Sequence, residues 1–455
     1  MTAKKKQKIA ICLHAGMFVK AFSDTGAIKD IIDNYDVIFL MGKQSANLCD
    51  FANQIVIESP SRFGLDLLKL LDRYSYLSLS RHRDRSTSFA LKFGNYSAER
   101  RLIGKLLNWT LTRPGIFEVV MYVAKQLLFP TPKTKKQLKT LDLDLILVPS
   151  NGTSDAISMD IISAAKSLGI PSLFMMYNWD NVTCKGVYPF QANYASVWGQ
   201  QSVEHYHRIH RLPLDRIYCL GSPQFEVYER FDPSGHQDLR VALNFTPTEV
   251  LAGYLGGARY RDDILLLQYL DPILERLNIR LVYRPHPFQD RAMLRGDFFK
   301  ENFRQIVMDP SIVEHYQRAR HDLSYNVKSY LYNFDRFPHF LKSLDFVISS
   351  YSTMCIESMK MGKPVLLTAF SDPTFHFSFD KLRHYEHHNC WANFTDVVIC
   401  EEQNTLKSAI EKTLKLIRST QIEIRLKEEV KYVAFADHDT YSTRLLRSVQ
   451  NILDV

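Results

Sequence analysis

Ser349-Ser350-Tyr351-Ser352-Thr353-Met354-Cys355-Ile356-Glu357-Ser358-Met359-Lys360-Met361-Gly362-Lys363-Pro364-Val365-Leu366-Leu367 is the stretch on which the fold of this chain turns. The mostly apolar run 344–348 before it reads as a buried strand that stops at a cluster of hydroxyls. The residues after the cluster have helical spacing, Gly362 closes the helix, and Pro364 leads into a second apolar strand. A strand, a helix and a strand joined by short turns form a parallel pair, whose first turn lies at the carboxyl edge of the sheet. Free backbone N–H groups and hydroxyls at such a helix start can hold an anion. Ser349, Ser350, Ser352 and Thr353 are candidate donors to phosphate oxygens, and Glu357, one turn into the helix, can accept from both hydroxyls of a ribose. The bland alternative is that the hydroxyls only cap the helix.

The same grammar recurs along the chain. A short strand at 8–13 runs into His14-Ala15-Gly16, without the GxGxxG of dinucleotide binders, which disfavours redox chemistry. Strands are expected at 37–41 and 54–57, with a leucine-rich helix at 64–74. The strand 143–148 ends in Pro149-Ser150-Asn151-Gly152-Thr153-Ser154-Asp155, followed by a helix at 156–168 and a strand at 172–176. At the end of that strand, Trp179, Asn181 and Lys185 are residue types that hold a sugar face, its hydroxyls and an anion, and Asp180 stands among them. A turn in which Asn and Asp satisfy backbone groups is the plainer reading of that loop. A strand at 194–198 and a helix at 202–210 complete the first half, and breakers at 231–248 mark a linker.

Beyond it, the strand 250–255 leads into Gly256-Gly257-Ala258-Arg259, where glycines allow close backbone approach to a ligand and Arg259 can reach its phosphate. A helix at 264–277, kinked at Pro272, and a strand at 280–283 precede Arg284-Pro285-His286-Pro287. Residues 288–340 read as irregular and aromatic, and helices at 406–417 and 441–453 close the chain.

A chain of 455 residues with 46% hydrophobic residues has the material for two cores. The expected division is 1–235, then 249–440, then a closing helix at 441–455. Within the first part, 81–139 interleaves basic clusters with leucine-rich and aromatic segments, which suits either an anionic membrane surface or a helical insertion with solvated lysines. The net charge of +8 favours anionic partners in general, but no nucleic-acid motif accompanies it. Seven dispersed cysteines, with no CxxC pair, point to reduced thiols in a cytoplasmic protein, and neither a signal peptide nor an apolar run of membrane-spanning length is evident. His376, His384, His387 and His388 lack zinc spacing, so no metal is expected.

The hydroxyl cluster, the Glu that follows it, Gly362-Lys363-Pro364-Val365 and the His-Pro element at 286–287 together resemble the nucleotide-binding half of GT-B glycosyltransferases of bacterial surface and capsular polysaccharide synthesis. The resemblance extends to sugar-nucleotide 2-epimerases and polyol-phosphate transferases of the CDP-glycerol type. It implies an α/β fold of two Rossmann-like domains facing a cleft, with the last helix crossing back to the first domain. It implies a donor site in the second domain: Ser352, Thr353 and His286 on the phosphates with Arg284 beside them, and Glu357 on the ribose. An acceptor glycan or lipid-linked glycan would lie on the first domain, with no cofactor beyond the nucleotide-sugar donor. If the anomeric centre inverts, a general base must come from the first domain, and His14 and Asp180 are both candidates. A non-catalytic nucleotide-sugar-binding protein on the same fold is the alternative from outside enzymology.

Overall fold

The computed structural model describes residues 6–58, 113, 115–116, 119, 122–123, 131–152, 155–184, 190–235, 237–246, 248–256, 260–286, 298–322, 336–370 and 385–454. The chain divides into two compact units: Met1–Glu226 with Tyr385–His387 and Lys431–Val455, and Val227–His384 with His388–Val430.

The first unit is built on a sheet of β1 (Lys8–Leu13), β2 (Asp36–Met41), β3 (Gln54–Val56), β4 (Leu145–Ser150), β5 (Ser172–Met176), β6 (Tyr194–Val197) and β7 (Ile217–Cys219). Its order is β3-β2-β1-β4-β5-β6-β7, and every pairing is parallel. Every residue of β4 and β5 is buried, as expected where helices cover both faces of a parallel sheet. The order reverses between β1 and β4, and the turns that follow these two strands therefore open beside one another.

The second unit repeats the plan with β8 (Val250–Leu255), β9 (Ile279–Arg284), β10 (Ile306–Met308), β11 (Phe346–Ser349), β12 (Val365–Thr368) and β13 (Val397–Cys400). Its order is β10-β9-β8-β11-β12-β13, again all parallel, with the reversal between β8 and β11. The helix Thr353–Lys360 follows β11 as expected. It ends in Gly362, whose φ of +68° places its N–H on Met359 O at 2.9 Å and that of Lys363 on Ser358 O at 2.9 Å, the arrangement that pairs the last carbonyls of a helix.

The closing helix Tyr441–Leu453 lays Tyr441, Leu445, Val449 and Ile452 on the core of the first sheet, with Ile9, Ile11, Leu145 and Leu147. Arg444, 7% exposed, donates to Leu220 O at 2.9 Å and lies 3.1 Å from Glu226 and 2.7 Å from Asp437. Because the desolvated guanidinium has carboxylates on two sides, removing either would leave part of a buried charge unmatched.

The sequence expectations miss in places that have physical reasons. The chain changes unit at Glu226, where 235 was expected, because Glu226 is bound to Arg444 while Tyr228 and Glu229 are bound to the helix Thr353–Lys360. Residues 431–440 already run with the first unit, since Gln201 N donates to Tyr432 O and Phe435 N to Trp198 O. The helix expected at 264–277 spans Tyr260–Leu277 and passes through Pro272, and the one expected at 202–210 is α-helical over Gln200–His205 and π-helical over Tyr206–His210. The segment read as irregular holds β10 and the helices Pro310–His321 and Arg336–Ser343, and β13 was not foreseen. β10, only three residues long, shows no periodicity that a sequence reading can use. The helix expected at 64–74 and most of 81–139 lie outside the described residues. What is described there includes the helix Pro132–Lys139, whose N-cap Thr131 accepts from Thr134 N. Among the described residues no helix is long and apolar enough to cross a membrane.

Candidate functional site

The reversal of the first sheet carries a buried ion pair. β1 delivers His14 into the turn that follows it, and β4 leads to Asp155, the N-cap of the helix Ala156–Leu168. His14 Nε2 lies 2.8 Å from Asp155 Oδ1, with the two side chains 8% and 10% exposed. Asp155 is held in turn by Ser158, whose N–H donates to Oδ1 at 3.3 Å and whose hydroxyl donates to Oδ2 at 2.9 Å. His14 Nδ1 lies 3.3 Å from the thiol of Cys12, and Phe18 meets the ring edge-on. Burial alone would push the imidazole down, but Cys12 and the carboxylate of Asp155 outweigh it and raise its pKa to about 10. At that value the ring holds its proton at neutral pH, and it acts as an oriented general base from the fraction that has lost it, which grows as pH rises. Asp155 had not been singled out beyond its place in the loop after β4. Its position as the last residue before a helical run was an N-cap signal, and that signal says nothing about His14.

The loop after β5 is arranged differently from the expectation. Asn181, fully buried, accepts at Oδ1 from the N–H groups of Tyr177 and Asn178 at 3.2 and 2.6 Å and donates to Asn151 at 3.1 Å. It is therefore the pin of its own turn and not a group presented to an acceptor. Trp179, 6% exposed, stands edge-on to His387, whose Nδ1 lies 2.8 Å from Thr183 Oγ1. Asp180 lies at the start of the short helix Asn181–Cys184, one strand further from the reversal than the His14–Asp155 pair. Lys185 is outside the described residues. Glu386, beside His387, pairs with Arg208 at 2.6 Å. Among the described residues no group of three or more His, Cys, Asp or Glu is placed to hold a metal ion.

The reversal of the second sheet gathers most of the expected donor-site residues. Ser349, at the end of β11, donates to Leu255 O at 2.9 Å and so ties β11 to β8 across the reversal. Ser352, the N-cap of the helix, makes no capping bond, and its hydroxyl lies 3.3 Å from that of Ser349. Ser350 is buried and its carbonyl accepts from Cys355, while Ser352 and Thr353 are partly exposed. On the other side of β8, Gly256 N donates to Arg284 O at 2.9 Å, and a Cβ at Gly256 would lie 2.3 Å from the carboxylate of Asp263, so the close approach made there is by a side chain of the protein. His286, two residues past β9, is partly exposed, and burial of its ring lowers its pKa. Gly257 and Arg259 lie outside the described residues.

Two of the expected donor groups are engaged within the unit. Arg284 pairs with Asp309 through one side of its guanidinium and lies over the rings of Phe337 and Phe340 at 4.6 and 5.1 Å. Glu357 accepts a hydrogen bond from the hydroxyl of Tyr228. Burial raises the Glu357 carboxyl to about 7, with Tyr228 and Arg284 pulling in the opposite direction. Tyr228 gave no signal in the sequence, since a lone Tyr after a linker is unremarkable.

No protein-family model and no curated protein sequence matches the chain. Solved structures do. A putative UDP-N-acetylglucosamine 2-epimerase from Listeria monocytogenes superimposes with a TM-score of 0.54 at 11% identity, covering 98% of this chain and 96% of that one. The UDP-GlcNAc 2-epimerase from Methanocaldococcus jannaschii gives 0.52 at 10% identity, over 98% and 100%. CalG4, the calicheamicin glycosyltransferase, gives 0.52 at 9% identity over 99% of each chain. Together with the two parallel sheets and the returning helix, these likenesses establish the GT-B fold.

Proposed function

We propose that this protein is a glycosyltransferase that moves a sugar from a nucleotide-sugar to a hydroxyl of a glycan or lipid-linked acceptor, without a bound metal or other cofactor. The observation that carries the reading is the His14–Asp155 pair at the reversal of the first sheet, because transfer to a hydroxyl needs a proton acceptor and an imidazole oriented by a carboxylate supplies one once it has lost its proton. In the reaction the acceptor oxygen gives its proton to the pair and attacks the anomeric carbon. The sugar–phosphate bond breaks and its electrons leave with the nucleoside diphosphate. That charge would be met by the N-terminus of the helix Thr353–Lys360, the hydroxyls of Ser352 and Thr353, and His286, with Glu357 on the ribose. His14 is preferred to Asp180 as the base because it stands at the reversal with an orienting carboxylate.

Uridine is the first base to try, because a neighbouring solved structure is described as a co-structure with UDP. An acceptor on a membrane suits the exposed apolar residues Ile116, Val119 and Tyr122 and the exposed lysines 133, 135, 136 and 139, which match an anionic lipid surface. A second reading, 2-epimerisation of the nucleotide-sugar, is favoured by the epimerases among the structural neighbours.

The test is calorimetric binding of uridine, cytidine, guanosine and thymidine diphosphates, followed by incubation with the matching nucleotide-sugars. A transferase releases nucleoside diphosphate only when acceptor is added, and His14→Ala abolishes that release. An altered sugar appearing without acceptor establishes the epimerase. If no nucleotide binds, the donor site is wrongly assigned and both readings fall.

A further inference from the structure

The carboxylate assigned to the ribose already has a hydroxyl on it. Tyr228 donates to Glu357 Oε2, and burial holds the phenol well above its ordinary pKa, so it remains a neutral donor at any working pH. The next residue repeats the attachment with polarity reversed. Lys360 Nζ, on the same face of the helix as Glu357, donates to Glu229 Oε1 at 2.6 Å, and the lysine side chain is only 2% exposed. Tyr228 and Glu229 thus grip two positions, one turn apart, of the helix Thr353–Lys360 that begins at the hydroxyl cluster.

We propose that Tyr228 is a competitive latch on the donor site, its phenol standing in for a ribose hydroxyl at Glu357 until a ribonucleotide displaces it. The inference rests on the reading of Glu357 as the ribose ligand. A carboxylate offers two oxygens, and a ribose diol uses both when it binds side by side. With Tyr228 on Oε2, a diol that binds side by side competes with the phenol for that oxygen. The exchange is nearly balanced for a ribonucleotide, because one hydroxyl donor replaces another on a desolvated carboxylate. A sugar without the diol displaces nothing, since Tyr228 can stay on Glu357 while it binds. The latch therefore weakens ribonucleotide binding alone, and so sets how strongly the site prefers ribose over sugars without the diol. Tyr228 is a specificity-determining residue on this account, and it touches the ribose site without touching the reacting atoms.

Calorimetry of the full chain with the nucleoside diphosphate found in the screen, and with its 2′,3′-dideoxy analogue, tests this. Tyr228→Phe keeps the ring and removes the hydroxyl. It is expected to tighten ribonucleotide binding about tenfold, the worth of one hydrogen bond no longer exchanged, and to leave the dideoxy analogue unchanged. Tyr228→Leu repeats the measurement through different packing. Ribonucleotide binding that is unchanged or weaker in both variants, while Glu357→Ala abolishes the preference for ribose, overturns the latch and leaves the ribose site standing. Binding in Glu357→Ala equal to that of wild type removes the ribose site and the latch together.

Discussion

The two sheets of this chain are near copies in topology and opposites in chemistry. Each reverses its strand order beside its first strand, at β1 and β4 in one unit and at β8 and β11 in the other. At the first reversal stand a histidine and an aspartate 2.8 Å apart. At the second stand hydroxyls, a helix start that makes no side-chain capping bond, and a carboxylate already holding a phenol. The strand order decides where a site opens, and a handful of side chains decides what it can do there.

The largest break in that comparison is expected from removing the base. His14→Ala should lower kcat by about 10²–10⁴-fold while leaving nucleotide affinity unchanged, as general-base losses do. Asp155→Asn separates the orienting carboxylate from the ring. Because burial lowers the pKa of His14 and Asp155 is among the groups that raise it, the variant should shift the acid limb of the kcat/KM profile to lower pH and reduce its plateau. An unchanged limb would mean that another group takes the proton.

The second reversal yields a stability effect of opposite origin. The pKa of Glu357 is raised from 4.5 to about 7 by burial, so its contribution is fully present below pH 4.5 and is lost as pH rises through 7. The rise is worth about 3 kcal/mol at most. Denaturant unfolding at pH 5 and pH 8 should therefore show wild type losing stability over this interval, and Glu357→Gln, which carries no titrating proton, losing less. Equal slopes in the two proteins would show that the carboxyl is ionised throughout.

The pattern that was legible in the sequence is the one the strands impose. Apolar runs ending in polar turns located β1, β4, β5, β8, β9 and β11, and with them the places where sites could open. Ser349, Ser352 and His14 were found because they stand at or just past strand ends, and Glu357 because it lies one turn into the helix that follows β11. Partners from distant sequence were not legible. Asp155 lies 141 residues from His14, Tyr228 lies 129 residues from Glu357, and Arg284 meets Asp309 across β9 and β10. The loop at 177–186 misled for a related reason: a run rich in Trp, Asp and Asn reads as a sugar site or as a pinned turn, and burial is what separates the two. Asn181→Ala should accordingly cost about 1–3 kcal/mol of stability, since two partly buried backbone donors lose their acceptor, and cost no acceptor affinity in the protein that remains folded.

The smallest expected effect sharpens the comparison most. An N-cap serine normally satisfies a backbone N–H of its helix, and replacing it by alanine costs about 1 kcal/mol. Ser352 makes no such bond, and its hydroxyl faces Ser349 and Cys355 at 3.3 and 3.7 Å. A hydroxyl that adds little to the fold and lies at the start of a helix is available to an anion. Ser352→Ala should then change the unfolding free energy by only about 0.5 kcal/mol or less, as at an ordinary surface position, yet weaken nucleoside diphosphate binding several-fold. Chemical denaturation and calorimetry on one preparation read both quantities. A full capping loss with unchanged affinity would make Ser352 an element of the helix, and the contrast between the two reversals would then rest on Glu357 and its latch alone.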